Sequence, residues 1–194
     1  WTEFQRQYSK VSISAEEISY LNGEAQLKSR KLDLLTFSDY QAGEDYIQQD
    51  LKTWNRALIV PEGHPLYHCD RPTLSDLNGE RIFFCANPMV YQNLLQLCSR
   101  NHCQPEEIIR VSDTLYMYEA CQTEKCIGIT IEGYFSNIFL PMFGDLRLLP
   151  FPDGALPYTV TAIYRRGHPM VKILAALVDT MRAWLEDPHS PNHD

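Results

Sequence analysis

Ala57-Leu58-Ile59-Val60 is an apolar run with no polar alternation, stopped by Pro61. A strand that turns no polar face to water belongs inside a sheet covered on both sides. Such strands recur along the chain: Leu32-Asp33-Leu34-Leu35-Thr36-Phe37 is mostly apolar, and Ile82-Phe83-Phe84-Cys85 and Cys126-Ile127-Gly128-Ile129-Thr130-Ile131 read the same way. Segments of helical period fall between them. Tyr91, Leu94, Leu95 and Cys98 recur at i, i+3, i+4 and i+7, with Asn87-Pro88 in place to start the helix. Apolar strands alternating with helices predict an α/β architecture.

The first run also opens an ordered series. Glu62-Gly63-His64-Pro65-Leu66 forms a turn, and Thr73 stands as the N-cap of a short helix, Leu74-Ser75-Asp76-Leu77. Gly79 ends that helix, and the strand Arg81 to Phe84 follows. Elsewhere the pattern predicts strands at Val11-Ser12-Ile13, Glu107–Val111, Leu146–Phe151 and Tyr158–Tyr164. It predicts helices at Glu24–Arg30, Asp113–Thr123 and Tyr134–Ile138. Val171, Leu174, Leu177, Val178, Met181 and Leu185 form the stripe of a long closing helix. No internal repeat is apparent. The polar tail at 188–194 is expected to be loosely ordered. Arg56–Pro61 and Arg147–Pro152 are the candidate crossings between two lobes.

At 194 residues and 44% hydrophobic, the chain can bury a core as one domain or two small lobes. It has no run of eighteen apolar residues, and so no membrane span, and its polar start is unlike a signal peptide. With a net charge of −8 and scattered Lys and Arg, it lacks the basic face that grips nucleic acid. Of the six cysteines, Cys85 ends a strand and Cys98 lies on an apolar stripe, as buried free thiols do. Cys121 and Cys126 can approach across a helix-to-strand turn, and the reading is two reduced thiols in a cytoplasmic protein.

Metal and catalytic readings fare poorly. His64 and His68, with Cys69 and Asp70, have ligand types, but Pro65 denies them the helix that would align them. Cys98, His102 and Cys103 lack a fourth ligand, and no Cys-x-x-Cys occurs. There is no Gly-x-Ser-x-Gly elbow and no phosphate-cradling loop, so neither an enzyme nor a cofactor is indicated. A binding protein remains. Ligands of α/β sheets sit outside the carboxyl ends of strands, where helix N-termini offer free N–H groups. The candidate strand ends are Phe37-Ser38, Cys85-Ala86-Asn87 and Thr130, and the candidate helix starts are Asn87-Pro88 and Ser112-Asp113-Thr114.

Val60 to Leu66 and Leu74 to Glu80, in this order and spacing, resemble the centre of a LysR-type transcriptional regulator's effector-binding domain. Phe4 to Tyr8 resembles that family's first helix, Leu27 to Asp33 its approach to the third strand, and Cys121 to Thr130 its glycine-bearing strand. Ser9 stands in place of the family's proline, and Glu132-Gly133 in place of an apolar residue and proline. The family's first strand has no counterpart before Trp1. The resemblance implies a two-lobed, type 2 periplasmic-binding-protein-like fold joined by two crossover strands. Residues 1–60 and 148–187 would form one lobe and 61–147 the other. It implies a small-molecule effector bound by Ser19, Tyr20, Ser38, Cys85, Ala86, Asn87, Pro88, Thr114 and Thr130. It also implies a homodimer or homotetramer, with DNA bound only through a separate winged helix-turn-helix domain. None of those positions is an arginine, so an anionic effector would depend on helix N-termini or the missing strand. An extracytoplasmic solute-binding protein and an enzyme on the same fold are the rival readings.

Overall fold

The computed structural model describes residues 2–39, 41–152 and 155–186, without the side chains at 2–3, 20–21 and 134–136. The tail at 188–194 lies outside the described residues. The chain forms two compact units, one from residues up to Thr53 and from Thr159 onward, the other from Trp54 to Tyr158. The two segments expected to cross between lobes are both strands of the second unit, and the chain passes between units at 53–54 and 158–159.

In the first unit, β1 (Leu34–Ser38), β2 (Tyr46–Trp54) and β8 (Tyr158–Arg165) form a sheet in the order β1-β8-β2. β8 alternates, as a strand covered on both faces by different helices must. Ala162 and Tyr164 pack with Leu174 and Val178 of α6 (Val171–Glu186). Ile163 packs with Leu35 and with Leu27 of α2 (Tyr20–Lys28). Arg165 donates to the Leu27 and Leu32 carbonyls at 2.6 and 3.0 Å, placing a cation at the carboxyl end of α2. α1 (Thr2–Gln7) packs on α6 and buries Phe4.

Two local expectations fail here. Val11-Ser12-Ile13 is irregular, because no described strand offers it a ladder and three residues hold none alone. α2 starts at Tyr20 rather than Glu24, behind Ser19, whose carbonyl accepts from the Asn22 and Gly23 N–H groups.

The second unit holds the larger sheet. Its strands are β3 (Arg56–Pro61), β4 (Arg81–Cys85), β5 (Glu107–Val111), β6 (Ile127–Ile131) and β7 (Leu146–Pro150), ordered β5-β4-β6-β3-β7. β4 is parallel to β5 and β6, whereas β3 is antiparallel to β6 and β7. α3 (Pro88–Arg100) covers one face, where Leu58, Val60, Phe84, Ile127 and Ile129 meet Val90 and Leu94. α4 (Thr114–Glu124) covers the other, where Ile59 and Phe83 meet Met117, Tyr118 and Cys121. A short α5 (Tyr134–Phe139) follows β6.

One local device occurs twice, once in each unit. Gly63-His64-Pro65-Leu66 and Gly167-His168-Pro169-Met170 share their sequence pattern. The Leu66 N–H donates to His64 Nδ1 at 3.2 Å, while His64 Nε2 meets Glu80 Oε2 at 3.0 Å. The Met170 N–H donates to His168 Nδ1 at 3.0 Å, and His168 Nε2 meets Asp33 Oδ1 at 2.9 Å. A ring nitrogen that accepts a backbone N–H carries no proton, so Nε2 bears it and donates to the carboxylate. Both rings are buried, and each ties the start of a helical turn to a distant strand or its approach. Replacing His64 or His168 with Ala should therefore cost about 1–3 kcal/mol, since it strands a backbone donor and removes a buried ring. The exposed His68 should cost no more than about 0.5 kcal/mol. Urea denaturation of the three variants separates these outcomes, and equal losses at His64 and His68 would rule the device out.

Candidate functional site

The parallel strands β4, β5 and β6 end on one edge of the second unit's sheet, and two helices begin there. Cys85 closes β4, and Ala86-Asn87-Pro88 turn the chain into α3. Asn87 is the N-cap, its Oδ1 accepting from the Val90 N–H at 3.0 Å, and Pro88 takes the first helical position. After β5, Asp113 caps α4 by accepting from the Tyr116 N–H at 3.0 Å. Thr114 follows, its hydroxyl donating to Cys85 Sγ at 3.5 Å. Both helix N-termini thus lend partial positive charge to the edge where Cys85 and Thr114 meet.

Thr130 lies one residue inside the end of β6 and is buried, with its hydroxyl 3.0 Å from that of Tyr118. It belongs to the α4 side of the sheet. Ser19 and Ser38 belong to the other unit. Ser19 is exposed at the start of α2, and Ser38 ends β1 opposite Val160. The side chain of Tyr20 lies outside the described residues.

A neighbouring group of residues went unread in the sequence. Arg56 opens β3 opposite Ile131 of β6, so it stands at the same edge of the sheet. Although charged, it is only 4% exposed. Its guanidinium lies over the rings of Phe84 and Tyr158, with centroids at 5.1 and 5.2 Å, and Tyr158 meets Trp54 at 6.1 Å. Aromatic faces attract a cation, and the attraction grows when water is absent. The signal was available: an arginine on a wholly buried strand is costly and marks a special position. The same edge of the sheet therefore carries a cation on its α3 face, whereas Cys85 and Thr130 lie on its α4 face, and none of the candidate positions is itself an arginine. Among the described residues, no cluster of three metal-ligating side chains occurs, and no helix is long and apolar enough to cross a membrane.

A family model described as LysR substrate binding domain matches residues 2–186. The chain belongs to that family. Its fold is the family's type 2 periplasmic-binding-like α/β fold. The BenM effector binding domain with its effector benzoate superposes with a TM-score of 0.75 at 15% identity, covering 94% of this chain and 84% of that one. The C-terminal domain of a LysR family regulator from Rhodococcus sp. RHA1 gives 0.76 at 14% identity, with 93% and 88% covered. The oxidised form of OxyR gives 0.70 at 17% identity, with 97% and 88% covered. No curated protein matches the chain by sequence.

Within this LysR-family domain, the Tyr118–Thr130 bond can be tested as a cycle. Tyr118→Phe and Thr130→Val should each cost about 1–3 kcal/mol, and the double variant less than their sum, because each single change strands the other hydroxyl. Burial pushes the Tyr118 hydroxyl up from 10.0 to about 12. The folded state then keeps a proton that the unfolded chain has already released. The stability this confers is whole below about pH 10 and is lost as the pH rises towards 12. Across that window wild type should lose about 1.4 kcal/mol per pH unit relative to Tyr118→Phe. Urea denaturation from pH 8 upward measures the difference, and parallel pH profiles would contradict it.

Proposed function

We propose that this domain senses a small-molecule effector and passes the signal to a separate winged helix-turn-helix domain of the same regulator. The observation that carries the reading is the carboxyl edge of β4, β5 and β6. There two capped helix N-termini, the Thr114–Cys85 contact and, on the α3 face, the buried Arg56 lie along one edge of one sheet. The proposed effector contacts in the second unit are Cys85, Ala86, Asn87, Pro88, Thr114 and Thr130. Ser19, Tyr20 and Ser38 are the candidates of the first unit. Fixed positive charge at the edge makes small carboxylates the class to screen first. BenM, a relative in fold, is described with benzoate as its effector. The domain acts by binding rather than catalysis, in a cytoplasmic homodimer or homotetramer. The chain spans 61% of full-length BenM, and the DNA-binding role is proposed for the part of the regulator outside it.

Thermal unfolding against a panel of aromatic and aliphatic carboxylates tests the reading. A true effector at one hundred times its dissociation constant should add about 2.7 kcal/mol of stability. Thr114→Val and Ser38→Ala should then weaken its binding about tenfold or more by calorimetry, with the unliganded stability little changed. If no carboxylate shifts the transition, or if both variants bind as wild type does, this assignment fails.

A further inference from the structure

Four of the cysteines form two pairs of one design. Cys98 and Cys103, and Cys121 and Cys126, have the same spacing, and each pair straddles the end of a helix, α3 or α4. In each pair the residue before the second cysteine is left-handed, His102 and Lys125 both at φ 54°. Helices that end this way bring a side chain of the last turn against the one just past the left-handed residue. The Cys103 N–H donates to the Cys98 carbonyl at 2.9 Å, as such an end requires. That route holds the two Cα atoms within about 6.8 Å, a separation a disulfide can span. All four are reduced and buried.

The second pair is built around its sulfurs. The two thiols hydrogen-bond to each other, as those of Cys98 and Cys103 do, and Cys126 in addition donates to the Ala120 carbonyl at 3.6 Å. A Cβ at residue 128 would stand 2.6 Å from Cys121 Sγ, so Gly128 leaves the space that this sulfur fills. Electrostatics separate the pairs. Burial pushes Cys98 up to about 12 and raises Cys103 as well, so that pair stays protonated. At Cys126 the bond received from Cys121 favours the thiolate and, with help from the Arg81 guanidinium, outweighs the opposing effects of burial and the Glu124 carboxylate. Cys121, the donor of that bond and itself buried, is held protonated.

We propose that Cys121 and Cys126 form a reversible thiol pair which a small hydroperoxide oxidises to a disulfide, with Cys126 attacking and Cys121 resolving. The Cys126 thiolate attacks the peroxide, the O–O bond breaks, and a sulfenic acid forms as an alcohol or water leaves with the proton Cys126 gave up. Cys121 sulfur then attacks Cys126 sulfur, the S–O bond breaks, and the hydroxide takes the Cys121 proton and leaves as water. Two thiols lose two electrons and two protons, and the peroxide is reduced. Burial decides the class of oxidant, since Cys126 is 4% exposed and Cys121 not at all. A bulky disulfide does not reach them. The pair lies at the start of β6, on the edge of the sheet opposite the proposed effector contacts, and the inference stands without them.

The test uses the reduced chain, hydrogen peroxide, and alkylation of the remaining thiols in denaturant. Lys125 separates Cys121 from Cys126, and Arg100 separates Cys98 from Cys103, so either disulfide would join two tryptic peptides. The Cys121–Cys126 linked peptides should accumulate at least tenfold faster than any Cys98–Cys103 link, and should disappear on reduction. Cys121→Ala should leave a sulfenic acid at Cys126 that a cyclic diketone reagent labels. Full alkylation of Cys121 and Cys126 after peroxide, equal linkage of both pairs, or oxidation of Cys126 in wild type without linkage would each overturn the proposal. The wild-type peptide map decides even where a variant fails to fold.

Discussion

Every residue of β3 is buried and both of its edges are paired, and the second unit is organised around that fact. A strand with no exposed face must be covered above and below, which sets α3 and α4 on opposite sides of the sheet. Its register matters as much as its burial. Leu58 and Val60 point to the α3 cluster and Ile59 to the α4 cluster. A slip of one residue would exchange these faces and move Arg56 away from Phe84. The two antiparallel neighbours, β6 through Ala57↔Thr130 and β7 through Ala57↔Pro150, hold that register from both sides.

With β3 fixed, the two edges of the sheet acquire different chemistry. The carboxyl edge receives the starts of α3 and α4, and with them capped N–H groups and partial positive charge. The opposite edge receives their ends, where carbonyls need capping. Left-handed residues supply the cap in both helices, and the cysteines fill the side-chain contact that such a cap creates. One edge is therefore suited to polar recognition. The other carries two thiol pairs of like placement, set apart by the space Gly128 leaves at Cys121 and by their electrostatic surroundings.

Much of this frame was legible in the sequence because it depends on burial. β3, β4 and β6 are apolar on both faces, and α3 and α6 have clear stripes, so period and hydrophobicity report them directly. β2 was not legible. Tyr46-Ile47-Gln48-Gln49-Asp50-Leu51-Lys52-Thr53-Trp54 keeps Leu51 buried but is otherwise mixed, as an edge strand with one wet face is. Val11 to Ile13 misled for the converse reason, since alternation suits a strand but pairing makes one. The second His-Pro turn was not legible because the partner that gives it meaning, Asp33, lies far away in the sequence.

The candidate site was legible in part, and the boundary is physical. Asn87, Pro88 and Thr114 follow from capping rules, which are local and carry their own sequence signature. Arg56 depends instead on three strands at once: β3 supplies the charge, β4 the Phe84 ring, and β8 the Tyr158 ring. No window of sequence contains that meeting. What the sequence does contain is a mismatch, an arginine attached to a run that buries every residue. A charge kept where burial is costly has to be held by something, and here aromatic rings from two other strands do part of the holding. In a buried sheet, then, the residue that breaks the pattern gives the better clue to where chemistry is concentrated.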